Sequence, residues 1–329
     1  MQKIYVEEAL IDHPRVKRIL NRFTSKSIIT CHHYGEVFNR KNQNFRQQKQ
    51  KPALILAEKK GSRVLPSPEG FGIDGNQNYY FSHMLNCPFD CRYCFLQGLY
   101  RSAHYVLFVN YEDFMSEIKA TVIKHSTPCT FFSGYDADSL AYDPVSQFTA
   151  EFVPFFKKHP SAYLELRTKA ANVSPLLKQT ASKNIIVAFT FTPECISNEV
   201  EHKVPSIEKR LNAMKQVADH GYSIGIRLDP LIYADNFKEI YFNLIDRIFS
   251  VVSPDQLHSV SVGTLRFPKK MFETIRKNYP HDKLINQPYV KSDKIISYTP
   301  EKQKQMEAIV RSQLSRHLCH SKIFSCSST

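Results

Sequence analysis

Between residues 79 and 262, short apolar runs alternate with longer stretches of helical periodicity, a pattern that predicts repeated βα units. The apolar runs fall at 79–82, 130–133, 163–166, 185–191, 223–228 and 258–262, and the helical stretches between them at 111–124, 144–158, 207–220 and 236–249. Each parallel strand needs a crossover helix, so six strands in this order predict an α/β fold. A partial (β/α)6 TIM-type barrel, two strands short of eight, and an open parallel sheet both satisfy the pattern. In either, chemistry belongs on the loops that follow the C-terminal ends of the strands.

The flanks depart from the alternation. Residues 1–70 predict a small N-terminal α/β appendage, with a helical stretch over 13–23 and a polar, basic run over 40–51 that suits a solvated loop or a phosphate-contacting surface. Pro66, Ser67, Pro68, Gly70, Gly72 and Gly75 mark a connection to the core at 71–265. Residues 266–329 predict a C-terminal helical extension, with a basic helix from Pro268, a polar turn at 291–294 and a further helix over 301–317.

Composition narrows the class. With 42% hydrophobic and 23% charged residues in 329, the chain is an ordinary globular protein with enough length for a large core. A net charge of +13 favours a polyanionic partner, nucleic acid foremost, although solvated lysine faces account for the same excess. The first eight residues contain no apolar signal core, and nowhere does an apolar run approach the roughly 20 residues that span a bilayer. A cytoplasmic protein without a membrane partner is expected. In that reducing compartment its eight cysteines are thiols or metal ligands rather than disulfides.

Three of the eight are crowded. Residues 87–94 read Cys-Pro-Phe-Asp-Cys-Arg-Tyr-Cys, which lets one loop wrap the thiolates of Cys87, Cys91 and Cys94 around one face of an iron-sulfur cube. Iron-sulfur electron carriers complete the set with a fourth cysteine. Its absence nearby leaves one iron open to a substrate or cofactor, which favours catalysis. The competing reading is a zinc site with His83 as fourth ligand, in a nucleic-acid-binding protein without catalysis. Cys31, Cys129, Cys195, Cys319 and Cys326 are isolated and read as small hydrophobes or surface thiols.

The C-x3-C-x2-C spacing, with aromatic Tyr93 before the third cysteine, resembles the radical S-adenosylmethionine (radical SAM) superfamily. Within it, several stretches resemble the spore photoproduct lyase family: Cys94-Phe95-Leu96-Gln97, Leu166-Arg167-Thr168-Lys169, Gly221-Tyr222-Ser223-Ile224-Gly225, Phe267-Pro268-Lys269-Lys270 and Arg276-Lys277-Asn278-Tyr279-Pro280. The resemblance implies a 4Fe-4S cluster on Cys87, Cys91 and Cys94, and S-adenosyl-L-methionine (AdoMet) on its open iron. It implies a 5′-deoxyadenosyl radical that opens a thymine dimer in DNA, and a reductant such as flavodoxin or ferredoxin. It assigns Lys169 and Thr190 to the cofactor, and Arg227 with Asp229 to cofactor or substrate; a mutual salt bridge between the last two is the alternative.

Two positions depart from the family. Where it carries a hydrogen-donating cysteine past the second strand, this chain has Tyr135, which either donates from its phenol or packs as an aromatic. Of the family's two relay tyrosines in the cluster loop, Tyr93 is kept and the second is Phe95, which has no O–H. The basic hairpin between Tyr279 and Tyr298 is also short, leaving Lys291 and Lys294 for phosphates. These departures keep open a radical SAM enzyme that acts on RNA or a small molecule.

Overall fold

Two larger sheets organise the computed structural model, which describes residues 3–23, 26–68, 70–73 and 77–326; residues 1 and 2 and Gly75 lie outside the described residues. The βα alternation folds into an open, curled eight-stranded sheet. In spatial order its strands are Val64–Pro66, Gln77–Phe81, Cys129–Phe132, Ala162–Thr168, Ile185–Thr190, Ser223–Leu231, Leu257–Thr264 and Ile323–Ser325. The middle six are the six expected, all parallel to one another. Each flank adds one edge: Val64–Pro66 pairs antiparallel to Gln77–Phe81, and Ile323–Ser325 pairs parallel to Leu257–Thr264.

Burial explains why these runs read so clearly. Ile185–Thr190 is buried at all six positions, because a central parallel strand has helices on one face and the barrel interior on the other. The covering helices carry apolar residues at helical spacing. In Ile207–Asp219 the buried set includes Ile207, Leu211, Met214 and Val217, and the Ser206 side chain caps the N-terminus by accepting from the Lys209 N–H. The helix expected over 144–158 is broken. Gln147 takes a left-handed conformation (φ 54°) between Asp143–Ser146 and Phe148–Lys157, and the Asp143 carboxylate accepts the Thr149 N–H at 2.9 Å.

The second sheet has the order Ser27–Cys31, Lys3–Glu7, Leu54–Ala57, Tyr105–Phe108, Met84–Leu85. It draws strands from both sides of residue 70 and from both sides of the cysteine loop, around a core that includes Ile4, Val6, Leu54, Leu56, Met84 and Leu107. The run over 40–51 is not a solvated loop throughout. Phe45–Gln50 is a short helix with Phe45 buried, and Lys49 reaches Asp90 in the cysteine loop at 3.3 Å. The apolar anchor and a partner for the charge are what order it.

The C-terminal extension carries the helices Lys269–Asn278 and Pro300–Leu314 together with a three-stranded antiparallel sheet, Arg266–Pro268, Ile295–Ser297 and Val290–Lys291. Its polar turn is a hairpin tip closed by Ser292 N donating to Ile295 O at 2.8 Å. Among the described residues no helix is long and apolar enough to cross a membrane.

Candidate active site

At the C-terminal ends of the parallel strands a cavity of about 460 Å³ opens, lined by all three clustered cysteines and by Tyr93, Tyr135, Lys169, Thr190 and Asp229. The cysteine loop is pinned onto this cavity from several sides. Asp90–Cys91 pairs antiparallel with Glu201–His202, Arg92 N donates to Val200 O at 2.7 Å, and the Gln97 amide bonds Asp90 and the Cys91 carbonyl at 2.7 and 3.1 Å. Arg92 pairs with Asp282 at 2.9 Å and lies 3.6 Å above the Tyr279 ring. Gly98 admits the helix Lys269–Asn278, since a Cβ there would sit 2.4 Å from the Met271 carbonyl oxygen.

Burial pushes all three thiols up, Cys87 to about 12. They are therefore protonated until a cation takes the place of the protons. Among the described residues no three His, Cys, Asp or Glu side chains converge on a single metal ion. His83 does not join the cysteines: it is buried in the core with its ring stacked 3.9 Å from Phe148. With His83 turned away, three thiols on one cavity wall fit three corners of an iron-sulfur cube better than a tetrahedral zinc site that counts on that histidine.

Behind the loop lies a charge cluster that no local pattern announces. Glu201 is fully buried and accepts from the Tyr93 hydroxyl, from Thr192 at 3.1 Å, from Ser197 at 2.6 Å and from Arg210 at 2.6 Å; the Lys169 ammonium stands 3.8 Å away. Burial pushes the Glu201 carboxyl up, but Lys169 and Arg210 outweigh it and hold the group below its ordinary value. Tyr93, pushed far up by burial and by Glu201, keeps its proton. Lys169 also faces the Tyr93 ring at 5.5 Å, so the cluster loop and the end of Ala162–Thr168 are held together through one carboxylate. Thr190 ends its own strand, with its carbonyl accepting from Arg210 at 3.1 Å.

Asp138 performs a similar task on the other side. It accepts from Lys169 N at 2.6 Å, from the Thr168 hydroxyl at 2.7 Å and from the N–H groups of Leu140 and Ala141, and so fixes the loop after Cys129–Phe132 against the loop that carries Lys169. Tyr135 in that loop stacks on Tyr80 with ring centroids 4.3 Å apart and leans on Phe95 at 5.6 Å. Burial, Tyr80 and Asp136 push its phenol up, so the O–H is retained. Cys129 begins the strand at the end away from this cavity and hydrogen-bonds the Thr127 carbonyl.

Arg227 and Asp229 do not act as a pair. Arg227 is fully buried behind the cavity wall, bonded to Glu165 at 2.7 Å and to Ser259 at 3.1 Å, with no face left for a cofactor. Asp229 does line the cavity, but its partner is Arg266 at 3.1 Å. Strand alternation would put positions 227 and 229 on one face, so it is their partners that separate them: Glu165 captures one and Arg266 the other. Cys326, expected as a small hydrophobe or a surface thiol, is buried and lines the same cavity.

The family sequence model described as "Spore photoproduct lyase" matches residues 1–325. Curated relatives include the spore photoproduct lyase of Bacillus subtilis (strain 168), 22% identical over 86% of this chain and 83% of its own length. That of Geobacillus sp. (strain Y412MC61) is 21% identical over 85% and 83%. Among solved structures, a spore photoproduct lyase variant with AdoMet and dinucleoside spore photoproduct bound superimposes with a TM-score of 0.86 at 19% identity, over 100% of this chain and 98% of that one.

Proposed function

This chain belongs to the spore photoproduct lyase family, and from that premise we propose that it is a cytoplasmic radical SAM lyase that opens the thymine dimer of spore photoproduct in DNA. Three thiols and a lysine on one cavity at the strand ends are the observation that carries this reading. A 4Fe-4S cluster on Cys87, Cys91 and Cys94, with AdoMet at its open corner, would supply a 5′-deoxyadenosyl radical. Lys169 contributes a cation and Thr190 a polar backbone-anchored edge toward that cofactor. Glu201 holds Lys169 and Tyr93 in register, and the buried Tyr93 hydroxyl stays protonated against it. By the family resemblance Tyr135 takes the donor's place and gives the hydrogen atom of its O–H to the carbon radical left on the opened substrate; one electron from the protein reductant and one proton from water then restore the phenol.

The remaining partners follow from the same reading. A flavodoxin- or ferredoxin-type protein provides electrons, and the exposed Lys291 and Lys294 at the hairpin tip contact DNA phosphates. Reconstituted enzyme given dithionite, AdoMet and spore-photoproduct DNA is expected to form 5′-deoxyadenosine and thymine. Cofactor cleavage without thymine would overturn the substrate and leave the class. A radical SAM enzyme for another substrate is the second reading, favoured by the Asp229–Arg266 ion pair that lines the cavity.

A further inference from the structure

The cavity that offers three thiols at one edge of the large sheet carries a fourth at the other. Cys326 follows the edge strand Ile323–Ser325, and its N–H donates to Val262 O at 2.9 Å, which sets it beside Leu257–Thr264. Its sulfur lies 3.4 Å from Arg266 Nη2, while Arg266 Nη1 holds Asp229 at 3.1 Å. Gly263 makes this meeting possible. A Cβ there would come within 2.5 Å of the Cys326 carbonyl oxygen, 2.9 Å of the Asp229 carboxylate and 3.1 Å of the Arg266 guanidinium.

Two further observations mark this end of the cavity as a place for a reacting ligand. The Ser261 hydroxyl lines it, is 1% exposed, and has no hydrogen-bond partner among the described residues, a state that buried hydroxyls avoid unless a ligand pairs with them. Burial and Asp229 push the Cys326 thiol up to about 12, so the sulfur keeps its hydrogen at neutral pH. Tyr135 faces the same cavity from beyond Cys129–Phe132, at the opposite side of the sheet.

We infer that Cys326 is a second hydrogen-atom donor to the substrate, acting on the wall opposite Tyr135. The inference rests on the radical lyase reading above. Once the methylene bridge has opened, the S–H bond breaks homolytically, and its hydrogen with one electron forms a C–H bond on the carbon radical. The sulfur radical left on Cys326 regains the thiol with one electron from the low-potential protein reductant and one proton from water. One hydrogen is consumed per dimer, drawn from S–H or O–H according to which the radical faces.

The test measures thymine formed per 5′-deoxyadenosine in reconstituted holoenzyme with dithionite, AdoMet and dinucleoside spore photoproduct. Cys326→Ser, which keeps size and hydrogen bonding but removes the weak S–H, is expected to lower that ratio about threefold while 5′-deoxyadenosine still forms. In a Tyr135→Phe background the same change lowers it to near zero. A readout without turnover accompanies it: Cys326→Trp, which fills this end of the cavity, should weaken calorimetric binding of the dinucleoside to the metal-free protein about tenfold. An unchanged ratio for Cys326→Ser in both backgrounds overturns the inference, as does a Cys326→Trp protein that binds the dinucleoside as tightly as the unaltered one. Wild-type enzyme that cleaves AdoMet without releasing thymine strikes the substrate reading instead and takes this inference with it.

Discussion

Replacing Glu201 by Gln removes the charge that Arg210 and Lys169 share while leaving the shape of the side chain. Arg210 is fully buried, so its guanidinium is left without a counter-charge in a site that water does not reach. Breaking one partner of such a pair costs about 3–5 kcal/mol. Unfolding entropy near 2.1 cal/mol/K per residue gives about 0.7 kcal/mol/K for a chain of this length, so the melting temperature should fall by about 4–7 °C. Calorimetry on the metal-free protein measures this without any catalytic step. Arg210→Met alone should also destabilise, because Glu201 then keeps only Lys169 at 3.8 Å as a counter-charge. The double variant Glu201→Gln/Arg210→Met leaves only Lys169, on the cavity wall, without its counter-charge and should recover about half of the single loss. A shift below about 1 °C for Glu201→Gln, or a double variant that merely adds the two singles, would refute the account of Glu201 as the centre of a closed buried network.

The neighbouring buried pair should show itself in acid. Burial pushes the Glu165 carboxyl up, but Arg227 and Arg167 more than offset it and hold it at about 2, against an ordinary value of 4.5. A depressed carboxyl stabilises the fold fully above pH 4.5 and loses that contribution as pH falls toward 2, so Glu165→Gln should flatten this acid limb in urea titrations. Parallel curves for the two proteins would count against it. At the hairpin tip, Lys291→Ala/Lys294→Ala should reduce the slope of log affinity for duplex DNA against log salt by about 2, roughly one per phosphate contact. Turnover of the dinucleoside, which lacks the flanking duplex, should not change; an unaltered salt slope would remove the hairpin from the DNA contact.

The parts legible in the sequence are those where burial writes a period into the chain. Five of the six central strands are buried at most positions, and their helices repeat apolar residues every three or four positions, so both could be read without neighbours. Val64–Pro66 and Ile323–Ser325 could not, because three residues carry no period and their pairing is decided by edges formed elsewhere. The cysteine triplet was legible because one short loop supplies all of it. Glu201 was not: it reaches the site through a two-residue bridge to Asp90–Cys91, a pairing invisible from either segment alone. Arg227 misled for the reverse reason, since a strand-end arginine looks available until Glu165, from a strand two places away in the sheet, is seen to consume it.

The smaller sheet has a consequence for how the molecule can be divided. Met84–Leu85 and Tyr105–Phe108, on either side of the cysteines, are strands of that sheet, while Gln77–Phe81 just before them belongs to the large one. The chain is thus laced through both layers at the point where the thiols emerge, like a stitch through two pieces of cloth. Removing the first seventy residues would strip Tyr105–Phe108 of its partner Leu54–Ala57 and slacken the thread that carries the cysteines.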